Sequence, residues 1–331
     1  MPLMADSLFA PAVKPIYFTA YSIDSYYMNT CFVCKNLCAM KIFHSYGSGL
    51  FYSITEYPYI FYPKHYAVSS QTKGPPAGTE KTIDFDRVRE FYDLYVCTTA
   101  DVGFWKRVAG DSQPPLLELM AGTGRITLPL LEAGHLVEGL DYSAGLLEVL
   151  ERKLGAAGIE APLHHADARD FDLGRKFGLI FIGFQSISEV VDDDDKIKVF
   201  GNVRRHLAPG ASFWVTIHNP PARRGMVDGR DVDLGTYRLA STGEDVTVSG
   251  RYLLDEGTGI VSGKQTYRCL RGRRESRLVE LPMRFHLVSP QRLVELLSDS
   301  GFDAAERLGD YDGSAFEPSR SPFFLVRCRA R

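Results

Sequence analysis

No stretch of the 331-residue chain reaches the roughly 18 consecutive apolar residues of a membrane-spanning helix, so a helical membrane protein is not expected. The amino terminus, MPLMADSLFAPAVKP, lacks both a basic first region and a clean apolar run, so no secretory signal is read there. Cysteine is scarce, with six in all. Cys31, Cys34 and Cys38 crowd into CFVCKNLC, while Cys97, Cys269 and Cys328 are scattered and expected to be buried. This usage fits a reduced, cytoplasmic protein. Cys-x-x-Cys-x-x-x-Cys with His44 nearby has donors for zinc, but it lies in a stretch without periodicity and is read as free cysteines, with no metal bound. Excess charge of one sign is also missing. The net charge is −3, which demands neither nucleic acid nor an anionic membrane as partner. The RGRR run at 271–274 fits a solvated hairpin tip. Apolar residues make up 45% of the chain, enough for a sizeable core.

Composition changes near residue 80. Residues 1–70 are crowded with Tyr and Phe and poor in Glu and Arg, and GPPAGTE at 74–80 reads as a linker. Residues 1–80 are therefore set apart as an extension. They are read either as a poorly ordered, lineage-specific segment or as upstream sequence that is not native coding. Residues 81–331 form the expected domain. IDFDRVREFYDLYV has helical spacing. PLLELM reads as a strand, GRITLPLLEAG as a helix closed by Gly134, LVEGLD as a second strand, and the segment from Ser143 as a capped helix. APLHHAD, FGLIFIGF and ASFWVTIH supply three more strands, with a helix before the last whose acids lead and bases trail, as its dipole prefers. Residues 225–287 then read as antiparallel strands separated by turns such as DEGTG. A helix from Ser289 and a last strand, PFFLVRCRA, close the chain. The expected fold is a doubly wound, mostly parallel seven-stranded α/β sheet of Rossmann-like type, with a small antiparallel β insertion after strand five.

In such sheets ligands sit at the carboxyl ends of the strands. The stretch LLELMAGTGR, 116–125, runs from a buried strand through Glu118 into a glycine turn and a helix, which aims backbone N–H groups at a ligand. Asp141 ends the second strand, where a carboxylate can accept both hydroxyls of a ribose, so a nucleoside is expected. A nicotinamide dinucleotide prefers a third glycine or alanine, where this chain has Thr127, and no Tyr-x-x-x-Lys pair is present for hydride chemistry. S-adenosylmethionine carries no phosphate and does not need that glycine, and its cationic end suits an acid at Glu118.

LLELMAGTGRITLPLLEAG followed by VEGLDYSAGLLEVL closely resembles the class I S-adenosylmethionine-dependent methyltransferases, and FYDLYV, HHADARDF, FIGFQSISEV and LLSDSGF extend the resemblance over roughly residues 83–331. The resemblance implies S-adenosyl-L-methionine as cofactor. It implies Ala121, Gly122 and Gly124 against the methionine part, Glu118 ordering that turn, Asp141 on the ribose and Tyr142 on the adenine. It further implies Asp167 and the Ala168 amide at the adenine edge, Phe184 and Gln185 near the transferring methyl, and Tyr92 or Tyr95 capping the pocket. Met120 departs from the family by replacing its first glycine.

Methyl transfer needs a base only where the acceptor must lose a proton. His218, at the end of strand five, is the leading candidate, with Glu189 and His286 behind it. The aromatic of an Asn/Asp-Pro-Pro-Tyr motif is absent, since HNPPAR has Ala222 there, which argues against a DNA-adenine substrate. The expected activity is transfer to an N or O atom of a small molecule, by a monomer or homodimer, with residues 225–287 covering the acceptor. The alternatives are a non-catalytic S-adenosylmethionine-binding regulator and, more distantly, a nicotinamide-dependent oxidoreductase.

Overall fold

The computed structural model describes residues 83–331; the aromatic extension, with Cys31, Cys34, Cys38 and His44, lies outside the described residues. Where one helix is expected over 83–96, the chain makes a 3-10 turn, Phe85–Val88, and a one-turn helix α1, Tyr92–Tyr95. A helix the pattern reading omits follows, α2, Val102–Gly110. Phe104, Trp105 and Ala109 bury its inner face, and Trp105 stacks on Phe181 with ring centroids 4.5 Å apart. Cys97, expected to be buried, is exposed, whereas Cys269 and Cys328 are buried.

The alternating part then runs β1 (Leu116–Leu119), α3 (Thr127–Glu132), β2 (Val137–Asp141), α4 (Ala144–Ala157), β3 (Leu163–His165), β4 (Phe177–Ile182), α5 (Asp193–His206) and β5 (Leu207–His218). Ser143 caps α4 by accepting from the Leu146 amide at 3.1 Å, and Gly158 ends it in the left-handed conformation. Asp193, Asp194 and Asp195 open α5, and Arg204, Arg205 and His206 close it, each sign at the end the helix dipole favours. A short turn helix α6 (Pro220–Arg223) leads into β6 (Asp228–Leu239), β7 (Glu244–Leu254), β8 (Ile260–Arg271) and β9 (Arg274–His286). Helix α7 (Pro290–Asp299), β10 (Phe302–Leu308) and β11 (Phe323–Ala330) complete the chain.

The main sheet has seven strands in the order β10-β11-β5-β4-β1-β2-β3. Strands β3, β2, β1, β4 and β5 pair in parallel, and β11 inserts antiparallel between β5 and β10. The sheet is covered on both faces. Leu117, Leu119, Ile180 and Ile182 pack with α5 and α7 residues such as Phe200 and Leu296. Leu116, Leu179 and Phe181 pack with Trp105, Leu130 and Leu150 on the opposite side. Alternation along β1 therefore turns Glu118 toward the face of Leu116 and Trp105.

Strands β6 to β9 form a separate four-stranded antiparallel meander. Val246, Val248, Tyr267, Cys269 and Leu281 of this sheet pack against Phe85, Val88 and Phe91 from the amino-terminal segment and Leu146 from α4. Its polar residues include exposed cross-strand pairs such as Arg251 with Asp231 at 2.8 Å, a type worth little to stability. Among the described residues no helix is long and apolar enough to cross a membrane.

Candidate active site

Because β1, β2 and β4 run parallel, their carboxyl ends lie on one edge, and the segments after them converge there. They line an open cleft whose walls include Glu118, Met120, Gly122, Arg125, Gly183 and Phe184, with Tyr92 of α1 beside them.

Glu118 is 4% exposed. Its carboxyl accepts from the Thr127 hydroxyl, and burial pushes its pKa up to about 8, against the pull of that hydrogen bond and of Arg125. Thr127, which stands where a dinucleotide site prefers glycine or alanine, thus fixes the acid of the cleft wall. Gly183 leaves room at this point, since a Cβ there would come within 2.5 Å of Ile126 and 3.9 Å of the Glu118 Oε1.

Among the described residues, Met120 and Phe184 are the non-glycine residues with positive φ, at 59° and 57°. They follow β1 and β4 and both line the cleft. Left-handed backbone at such residues costs about 1–2 kcal/mol each and persists only where surroundings enforce it. Met120 therefore keeps the turn that a glycine would make without strain. Phe184 is pinned by the Thr216 hydroxyl, which donates to its carbonyl oxygen, and the Arg125 guanidinium sits 5.2 Å from its ring centroid.

The two turn glycines divide their work. Gly122, with φ 56°, is open toward the cleft, and a Cβ there would meet the Tyr92 ring at 3.9 Å. Gly124, with φ 80°, does not line the cleft; a Cβ there would sit 2.1 Å from Leu150 Cδ1 of α4. Its glycine requirement is helix packing rather than approach to a ligand. Gly124→Ala should lower unfolding free energy by about 2–3 kcal/mol, from backbone strain plus overpacking of a buried leucine. Urea denaturation would measure it, and a loss under 0.5 kcal/mol would remove the packing argument.

The other expected residues sit as follows. Asp141 is 4% exposed and accepts from the amides of Gly122 and Ser143, both at 2.8 Å; burial pushes its pKa up to about 6. It therefore holds the glycine turn to the second strand. Tyr142 donates to the Ile83 carbonyl oxygen. Asp167 is held by Arg169, which donates to it through Nη2 at 2.6 Å and bridges to Asp195 at 2.8 Å. Ala168 is buried, and its carbonyl accepts from Asn202 at 3.2 Å. Asp141, Tyr142, Asp167, Ala168 and Gln185 are not among the residues lining this cleft, whereas Ala121 is. Tyr95 lies back from the cleft: its hydroxyl donates to Gln265 Oε1 at 3.1 Å and accepts from Tyr267 at 3.2 Å. His218 is 4% exposed, packed between the rings of Phe184 and Phe323 at 5.2 and 4.9 Å, and neither ring nitrogen has a partner among the described residues. Burial drives its pKa well down, so it is neutral, and it stands behind Phe184 rather than in the cleft wall.

Sequence reasoning missed the pair that frames the cleft. Arg125 forks onto Asp101, which is 1% exposed, with Nη2 at 2.8 Å from Oδ2, and also donates to the Thr98 carbonyl at 3.0 Å. Asp93 accepts from the Thr123 hydroxyl at 2.6 Å, and Lys153 pairs with Asp93 at 2.6 Å. These contacts tie the amino-terminal segment to the glycine turn. No local pattern marks them, because their partners are far apart in sequence.

The residues present fit S-adenosylmethionine. The cleft has an acid in its wall, a glycine open to the ligand, an aromatic cover and a second carboxylate bound to the same turn, with Arg125 already neutralised by Asp101. A family profile described as a methyltransferase domain matches residues 116–210. Similar curated proteins include a dTDP-3-amino-3,6-dideoxy-alpha-D-glucopyranose N,N-dimethyltransferase of Streptomyces fradiae, 31% identical over 151 residues, or 43% of this chain and 56% of that protein. A cypemycin N-terminal methyltransferase from a Streptomyces species is 28% identical over 142 residues, 42% of this chain and 57% of that protein. The chain thus spans little more than half the length of these relatives. Among solved structures, an S-adenosylmethionine-dependent methyltransferase from Clostridium acetobutylicum has the same fold, with a TM-score of 0.62 at 18% identity, covering 74% of this chain and 98% of that one. With its strand order, its glycine turn and a methyltransferase-domain profile matched over residues 116–210, the described part of the chain has the fold of the class I S-adenosylmethionine-dependent methyltransferases.

Proposed function

We propose that the protein transfers a methyl group from S-adenosylmethionine to a nitrogen atom of a small molecule. The observation that carries this reading is the joining of two carboxyl groups to one glycine turn. Glu118 stands in the cleft wall beside that turn, and Asp141 accepts from the amide of Gly122 within it. When bound, the cofactor supplies an electrophilic methyl. Glu118 would face its cationic amino-acid end, Gly122 would let the backbone approach, and Asp141 would hold the ribose. The chain itself contributes position and the exclusion of water, since in-line displacement gains most from holding nucleophile and methyl together. The names of the similar proteins favour nitrogen over oxygen, because they are N,N-dimethyltransferases of amino sugars and an N-terminal methyltransferase.

Residues 225–287 are proposed to cover the acceptor. Support comes from the polar link across that boundary. Tyr95 bonds Gln265 and Tyr267 of β8, and its ring lies 6.1 Å from that of Tyr92, which lines the cleft.

Asp141→Asn should raise the Kd for S-adenosylmethionine about 30-fold, equivalent to about 2 kcal/mol for a lost charge-assisted contact. Asn is preferred to Ala because it keeps one oxygen for the Gly122 or the Ser143 amide, where Ala would leave both without an acceptor. Calorimetry on folded variant measures the change; an unaltered Kd would take Asp141 out of the binding site. Product formation from labelled cofactor across amine and alcohol acceptors tests the transfer itself, and activity on alcohols alone would overturn the choice of nitrogen.

A further inference from the structure

Besides Asp93 and Asp101, paired with Lys153 and Arg125, three carboxyl groups stand around this site, and two of them have partners. Glu118 is bonded to Thr127, and Asp141 to two backbone amides. The third, Glu189, ends the 3-10 turn Ser186–Glu189 that follows β4, and Ser186 at the other end of the turn lines the cleft. Glu189 is half-buried and, among the described residues, has neither a hydrogen bond nor an ion pair. Among the described residues no lysine or arginine acts on it; the charged neighbour it feels is Asp141, of its own sign. Its charge is felt in turn by Tyr92, Tyr95 and Tyr142, three tyrosines from two other segments. Tyr92 and Tyr95 meet edge to face at 6.1 Å.

A carboxylate withdrawn from water without a cation is costly, and neither Asp141 nor the tyrosines that feel its charge offer it a counter-charge. The same surroundings suit an organic cation, which gains from the opposite charge and from aromatic faces at once. We propose that Glu189 receives the protonated amine of the acceptor, binding the ammonium among Tyr92, Tyr95 and Tyr142 and taking up the proton that the nitrogen must lose before it can attack. This rests on the N-methyl transfer reading above. The proton passes from the ammonium to the Glu189 carboxylate. The freed nitrogen lone pair then forms the N–CH3 bond, while the electron pair of the breaking S–CH3 bond stays on sulfur. Burial and Asp141 push the Glu189 pKa up to about 8, closer to an alkylammonium than an ordinary carboxyl, which narrows the gap the proton must cross. His218, neutral and enclosed behind Phe184, is not needed for this transfer.

The test uses the full chain with S-adenosylhomocysteine, cyclohexylammonium chloride as probe and cyclohexanol as its neutral counterpart, at pH 7.5. Wild-type protein should bind cyclohexylammonium about tenfold more tightly than cyclohexanol, a preference set by a charge-assisted contact. Glu189→Gln should abolish the preference while leaving the S-adenosylhomocysteine Kd within about threefold. In wild-type protein the 13C resonance of the Glu189 carboxyl should titrate near 8 and move lower by at least about one pH unit when cyclohexylammonium is added. That measurement stands even if the variant fails to fold. Equal affinity for the two probes in wild-type protein, a preference retained by Glu189→Gln, or a titration unmoved by the amine would each overturn the assignment of Glu189. Absence of S-adenosylhomocysteine binding to wild-type protein would instead overturn the methyltransferase reading on which it depends.

Discussion

Raising the pH from about 4.5 to about 8 should destabilise the ligand-free protein by on the order of 4–5 kcal/mol through Glu118. In the unfolded chain this carboxyl ionises near 4.5; in the fold, burial holds it protonated up to about 8. Between those values the native state binds the extra proton, so stability is greatest at the acid end, falls as the pH rises, and levels off above the folded pKa. Glu189, raised to about 8, and Asp141, raised to about 6, slope in the same direction. Glu118→Gln cannot ionise and still offers an oxygen to the Thr127 hydroxyl, so its curve should be flatter by that amount and its stability at pH 8 higher than wild type. Denaturant unfolding at intervals from pH 5 to pH 8.5 measures both. Parallel curves for the two proteins would show that Glu118 is ionised throughout. The cofactor's cationic end should bring that ionisation about, so binding near neutral pH should release proton from Glu118, read as a dependence of the calorimetric heat on buffer ionisation enthalpy.

Asp101→Ala should cost about 3–5 kcal/mol, the penalty for leaving one member of a buried pair without its partner. Asp101 is 1% exposed and takes both arms of the Arg125 fork as well as the Trp105 indole N–H at 3.3 Å. Arg125 keeps some access to the cleft, with its side chain 13% exposed, so the lower end of that range is expected. The released guanidinium would stand in the cleft wall beside the proposed place of a cationic ligand. S-adenosylmethionine should therefore lose more affinity than S-adenosylhomocysteine, which lacks the sulfonium charge. Replacing both residues, Asp101→Ala with Arg125→Met, should recover much of the stability, since an apolar side chain leaves no buried charge. Equal losses for the two ligands would show that Arg125 turns away from the cleft.

Much of the sheet is legible in the chain. FGLIFI reads as a central strand because a parallel strand buried on both sides is apolar at every position. EDVTVSGRYLL reads as a half-buried antiparallel strand because it alternates, and β7 buries Val246, Val248 and Tyr252 on one face. The segment 83–96 was less legible. Its aromatic spacing suits one helix, yet Phe85, Val88, Phe91 and Tyr92 must meet both α4 and the insertion sheet, and the backbone breaks to let them. Helix α2 did have a signal in Val102, Trp105 and Ala109, at helical spacing within residues the pattern reading passed over.

The succession of strands along the chain, the glycine turn and the acids of β1 and β2 were determined by the sequence alone, because each depends on periodicity or on a few adjacent residues. The tertiary structure decided which charges are compensated. Asp101 lies 24 positions from Arg125, and nothing near either residue in the chain marks the pair. Glu118 and Glu189 are the same residue type, but one meets a hydroxyl and the other meets tyrosines and a like charge. Met120 and Gly124 belong to one turn, yet one holds strained backbone at the cleft and the other clears space for Leu150. Periodicity is a short-range property of the chain, whereas burial and partnership are set by which distant segments the sheet edge brings together.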